Sequence, residues 1–182
     1  MKRILAVASI VLVCLRRTTP VVDAWTKKET AHGKTVISYY ASWQWYDREQ
    51  LAKPSSMDHS KVTRYNFAFF QTDEKGNIWG TDSWADAIVL FGDNDWSAAE
   101  GDPKYCSWDT PKGVPNCAAH KYDTGLIHLA HEAGVEVYPS IGGWTLSNNF
   151  PKMAADATAR ATFATNCVKL IEAYDFDGID IE

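Results

Sequence analysis

Apolar and polar positions divide the chain into strands that alternate with helices or long connections. Thr35-Val36-Ile37-Ser38-Tyr39-Tyr40 is rich in β-branched and aromatic residues and predicts a first strand. Arg64 to Phe70 (RYNFAFF) predicts a second, and Val135 to Ile141 a third. In Gly178-Ile179-Asp180-Ile181 apolar and acidic residues alternate, and that period of two predicts a fourth. On such a strand Asp180 faces one side, with Glu182 on the same side about 6–7 Å further along, while Ile179 and Ile181 face the other.

Period 3.6 marks the helices. From Asp156 or Ala157 to Tyr174, the residues Phe163, Cys167, Leu170, Ile171 and Tyr174 form one apolar stripe. Tyr122 to Ala133 predicts another helix, with Leu126, Ile127, Ala130 and Ala133 on one face and Gly134 as its stop. Gln50 to Ser60 predicts a short helix broken by Pro54, and Asn148 to Ala154 a loop. Residues 71–121 form a connection far longer than ordinary loops, which points to function. They carry Trp79, Trp84, Trp96 and Trp108, for which packing in the core or within the loop itself is the expectation. Within this connection Ile78 to Leu90 fits either a small hairpin or a short helix.

Strands that alternate with helices argue for parallel βα units. The unusual residues follow strand ends: Trp43 after the first, Gly142-Gly143-Trp144 after the third, Glu182 after the fourth. Function at the C-terminal ends of parallel strands suits a (β/α)8 barrel. A doubly wound sheet shares that face but usually carries a Gly-rich phosphate loop, and none occurs here.

Met1-Lys2-Arg3 followed by the apolar run Ile4–Leu15 reads as a signal peptide over residues 1–24, with cleavage near Val22-Asp23-Ala24. A secreted, extracellular protein of residues 25–182 is the expectation. Without the leader the chain loses four of its 18 basic residues and one of its 23 acidic ones, and its net charge moves from −5 to −8. That balance disfavours nucleic acid and anionic membrane and suits a neutral ligand. Cys14 leaves with the leader. Cys106 and Cys117 bracket a Pro- and Gly-bearing loop and suit a disulfide in an oxidising compartment. Cys167 is left as a buried thiol or one with a partner elsewhere. His128 and His131 lie three apart on the predicted helix without acidic or Cys partners at metal-ligand spacing. No metal or other cofactor is expected.

Ser140-Ile141-Gly142-Gly143-Trp144 and Phe176-Asp177-Gly178-Ile179-Asp180-Ile181-Glu182 resemble the strand-three and strand-four motifs of glycoside hydrolase family 18, the chitinases and chitinase-like lectins. Tyr39-Tyr40 and Asn66-Phe67-Ala68-Phe69 resemble that family's first two strands. The resemblance implies an α/β fold, the N-terminal half of a TIM barrel with a long aromatic insertion after strand two. It implies a monomer acting on chitin or N-acetylglucosamine oligomers by substrate-assisted retention, in which the sugar's N-acetyl oxygen attacks the anomeric carbon. In the strand-four pattern, D-G-x-D-x-D-x-E, Asp177 begins the motif and supports the strand end, and Asp180 is the inner acid of the catalytic relay. Glu182 stands where the family has its third Asp, which orients the N-acetyl group; in the other alignment Glu182 is the acid itself, at the cost of a two-residue deletion inside the strand. In the first alignment its extra methylene would misplace that carboxylate by about 1 Å, at a cost on the order of a hundredfold in rate. The family's acid Glu falls two positions past Glu182, so truncation and an inactive chain are expected. A non-catalytic chitin-binding relative is the alternative. By the same resemblance Tyr39 and Phe69 line the sugar floor, Ser140 hydrogen-bonds Asp180, Gly143 permits close approach, and Trp43 and Trp144 are stacking platforms.

Overall fold

The computed structural model describes residues 26–27, 33–82, 85–92 and 124–182. The leader, Cys106, Cys117, Trp84, Trp96 and Trp108 lie outside them. Four parallel strands form the frame: β1 (Ile37–Ala41), β2 (Arg64–Thr72), β4 (Glu136–Ile141) and β5 (Asp180–Ile181), in the order β1-β2-β4-β5. Between β2 and β4 come β3 (Ile78–Gly80), α1 (Ala85–Phe91) and α2 (Leu126–Glu132); α3 (Phe150–Ala155) and α4 (Ala157–Tyr174) join β4 to β5. Both alternatives for the stretch 78–90 therefore occur. Ile78–Gly80 pairs antiparallel with the end of β2, and a helix follows.

Side chains on successive strand residues point to opposite faces. One face of the sheet carries Tyr40, Tyr65, Phe67, Val137 and Ile141, all buried against helices. Leu126, Ile127 and Ala130 of α2 and Leu170 and Tyr174 of α4 meet them in that core, with Phe163, Cys167 and Ile171 of the same α4 stripe partly buried. The Asp156 side chain caps α4 by accepting from Ala159 N at 2.8 Å. Gly134, at φ 73°, turns the chain out of α2. Burial pushes the Cys167 thiol up to about 11, and the thiol is free.

Two expectations need correction. Residues 150–155 are helical rather than looped: proline is tolerated in a first helical turn, where the amide has no intrahelical partner, and Met153 anchors the segment by burial. Pro54 likewise does not break a helix between Gln50 and Ser60; it opens one of two separate 3-10 turns, Pro54–Ser56 and His59–Lys61. Ile181 is 54% exposed, whereas Ile179 packs on the core. The physical reason is that β5 is an edge strand, with a neighbour on one side only. At the opposite edge Ile37 and Tyr39 of β1 are about half exposed too.

Candidate active site

Sheet register brings the acidic motif into contact with residues far away in sequence. Tyr39 is in register with Asn66, and Ala68 with Ser140. Ser140 is in turn in register with Asp180. Residues in register across a parallel sheet share a face, and this face is opposite the helices. Fully buried Ser140 donates its hydroxyl to Asp180 Oδ2 at 2.7 Å, and Tyr39 donates its phenol to the same oxygen at 3.3 Å. Two hydroxyl donors on one carboxylate oxygen fix where Asp180 points.

Aromatic surface surrounds this pair. A 3-10 turn over Ser42–Tyr46 follows β1, buries Trp45 and leaves Trp43 and Tyr46 more than half exposed. The Trp43 and Phe69 rings stack with centroids 5.9 Å apart. The Phe69 ring in turn lies against Gly143, where an added Cβ would meet ring carbons at 3.1 Å. The peptide joining Ala68 to Phe69 is cis, and the pairing of β2 with β4 shifts register between Ala68 and Phe70. Trp144 is 99% exposed, so its faces are open to a ligand rather than engaged in the core.

The end of the acidic motif is held by main chain. Glu182 N donates to Ile141 O at 3.0 Å, and Glu182 O accepts from Gly143 N at 3.1 Å. Ser147 Oγ lies 2.7 Å from that same oxygen. Gly142 and Gly143 both have φ above 100°, a conformation that side chains with a Cβ rarely adopt. A Cβ on Gly142 would overlap Glu182 O. The Glu182 side chain is exposed.

Asp177 is not brought to this group. Its Oδ2 accepts from Val137 N at 2.7 Å, near the start of β4, and lies 3.0 Å from His131 Nε2 on α2. It ties the entrance of β5 to β4. His131 is thus engaged with a carboxylate, and His128 lies 3.4 Å from Glu132. No group of three or more potential ligands poised for a metal ion occurs among the described residues.

The motif reading missed two features. Ser147 reaches the main chain of Glu182, and no spacing signals that contact. Asp82 and Asp86, four apart at the start of α1, lie behind the aromatic turn. Asp82 Oδ2 accepts from the Tyr46 phenol at 2.7 Å, and Asp86 is fully buried. An acid four residues after a capping Asp is a local signal that could have drawn attention to them.

Against known proteins, the family model for glycosyl hydrolases family 18 matches residues 35–182. Endochitinase 1 of Metarhizium robertsii is 29% identical over 180 residues, which is 98% of this chain and 38% of that protein. Chitinase ChiA of Flavobacterium johnsoniae is 32% identical over 85% of this chain and 9% of its own length. This chain thus spans well under half of each of these two relatives. Among solved structures, catalytic domain 2 of the Ostrinia furnacalis Group II chitinase, in complex with (NAG)5, superimposes with a TM-score of 0.56 at 24% identity, over 81% of this chain and 31% of that one. That likeness is one of fold, the (β/α) barrel of which the four parallel strands are a part.

Proposed function

The chain belongs to glycosyl hydrolases family 18, and on that premise we propose that it is the strand-one-to-four portion of a secreted chitinase, residues 25–182 after a leader of 1–24, that binds N-acetylglucosamine oligomers. The observation that carries this reading is the convergence of Ser140 and Tyr39 on one oxygen of Asp180. Beside it lie Phe69, Trp43 and the open Trp144. Pyranose rings present apolar faces that pack on aromatic surface, and aromatic side chains supply large contact area at little entropic cost.

In the chemistry of this reading, Asp180 carries the inner negative charge of the relay, oriented by its two hydroxyl donors. It stabilises positive charge that develops on the N-acetyl group as its oxygen attacks the anomeric carbon. Glu182 holds the position that orients the N-acetyl nitrogen, and the proton donor belongs two positions beyond it. A second reading, a chitin-binding relative that never cleaves, is favoured by Glu182 standing in place of the motif's third Asp.

The test is calorimetric titration with N-acetylglucosamine oligomers together with a hydrolysis assay. Binding of the oligomers is expected. Absence of binding at millimolar ligand overturns the sugar reading. Turnover that Glu182→Gln abolishes would identify Glu182 itself as the acid and overturn the alignment.

A further inference from the structure

We propose that Asp82 and Asp86 are positioning residues: a carboxyl pair behind the turn Ser42–Tyr46 that clamps the exposed Trp43 and Tyr46 and makes their hold on a ligand depend on protonation. The clamp follows from contacts on the page. The phenol of Tyr46 donates to Asp82 Oδ2 at 2.7 Å, while Asp82 Oδ1 accepts from Ala85 N at 2.8 Å at the start of α1. Asp86 Oδ2 accepts from Asp82 N at 2.9 Å, and Ser42 and Thr81 lie close enough to favour the charged form of Asp86. The Tyr46 end of the turn is therefore fastened to Asp82, and its Ser42 end lies beside Asp86. The helix that carries Asp86 packs directly on this turn.

Asp86 has an odd environment for a surface-type residue. It is 0% exposed, and its Oδ1 has no hydrogen-bond partner among the described residues. Removal from water is the main cause that pushes its carboxyl up to about 7, and the neighbouring Asp82 charge adds to it. Among the described residues, Asp82 precedes the helix that carries Asp86, and Tyr46 comes from the turn. On α2, which packs against α1, the titratable groups are His128 and Glu132, which face each other, and His131, which faces Asp177. Below neutrality the buried carboxyl is uncharged and the clamp closes. Above it, a buried charge with one oxygen lacking a hydrogen-bond partner among the described residues, beside Asp82, opposes closure.

The sugar consequence rests on the ligand reading above, but the clamp does not, and two readouts separate them. Hydrogen exchange of the unliganded chain at pH 6 reports on the turn itself. Asp82→Ala and Tyr46→Phe should each raise exchange in 42–46 at least fivefold while 157–174 stays protected, and the double variant should add little more. Unchanged exchange in 42–46 overturns the proposal. In wild type, exchange of 42–46 beyond the intrinsic pH dependence of amide exchange should rise several-fold from pH 6 to 8. Asp86→Asn, which keeps the volume and an acceptor oxygen, should abolish that rise, and persistence of the rise overturns the protonation claim. Titration with (NAG)5 over the same range should show wild-type affinity falling several-fold from pH 6 to 8 and Asp86→Asn affinity staying flat. A turn that obeys the exchange predictions in a chain that binds no sugar refutes the ligand reading and supports the clamp. A turn that obeys them while bound-sugar affinity ignores pH overturns the link to the ligand.

Discussion

Gly142→Ala tests the geometry that holds the acidic motif against β4. The native φ of +109° is one that a residue with a Cβ rarely adopts, and forcing Ala into the left-handed half of the map costs roughly 1–2 kcal/mol. The new Cβ would also overlap Glu182 O and come within 2.8 Å of the Phe150 ring. Relief of that overlap requires Glu182 to move from β4, which strains or breaks its bonds from Gly143 N and Ser147 Oγ. Each is worth about 1 kcal/mol. The total is on the order of 3–4 kcal/mol, a large share of the roughly 5–15 kcal/mol that separates a folded domain from its unfolded chain. Gly33→Ala is the internal control: its φ is +65° and a Cβ there meets nothing within 4 Å, so it should show only the backbone cost. Urea titration followed by tryptophan fluorescence at submicromolar protein measures both. If Gly142→Ala costs less than about 1 kcal/mol more than Gly33→Ala, the close approach of Glu182 to β4 is not what holds the motif, and the reasoning fails.

Other perturbations probe other links. Ser140→Ala removes the 2.7 Å donor to Asp180 from a fully buried site with little change of shape; calorimetry should show (NAG)5 affinity weakened about fivefold, the equivalent of one hydrogen bond near 1 kcal/mol. Leu170→Ala empties a fully buried position of α4 and should cost about 2–5 kcal/mol in urea titration. Asp86 has a folded-state value of about 7, raised above its ordinary 3.8. Its favourable contribution is therefore complete below about pH 4, is lost as pH rises toward 7, and stays lost above. The loss amounts to at most about 1.4 kcal/mol per pH unit inside that window, and Asp86→Asn should remove that component of the stability profile. His131→Leu takes away the ring that meets Asp177; thermal melting should fall by several degrees, consistent with a lost charged hydrogen bond of about 1.5–3 kcal/mol.

Much of the frame was legible in the chain because its signals are local. β-Branched and aromatic runs marked the first three parallel strands and a period of two the fourth, a 3.6-residue stripe marked α4, and Asp156 and Gly134 marked helix ends through backbone preferences that act over a few residues. What the linear order left open are matters of long-range contact. Periodicity could not tell that Trp45 goes inside while Trp43 and Tyr46 stay out, because a five-residue 3-10 turn is too short to show a period. Nor could it choose between hairpin and helix for 78–90, where the chain first pairs with β2 and then buries a seven-residue helix of which every residue is inside. Asp177 and Asp180 stand three apart in one acidic motif, yet Asp177 meets His131 and Val137 while Asp180 meets Ser140 and Tyr39. The sequence by itself determined where the four parallel strands and α4 form, since those choices are made by each residue and its near neighbours. Which acid reaches the site and which braces the sheet was decided only by strand register, because that register sets residues up to 141 positions apart within a hydrogen bond of each other.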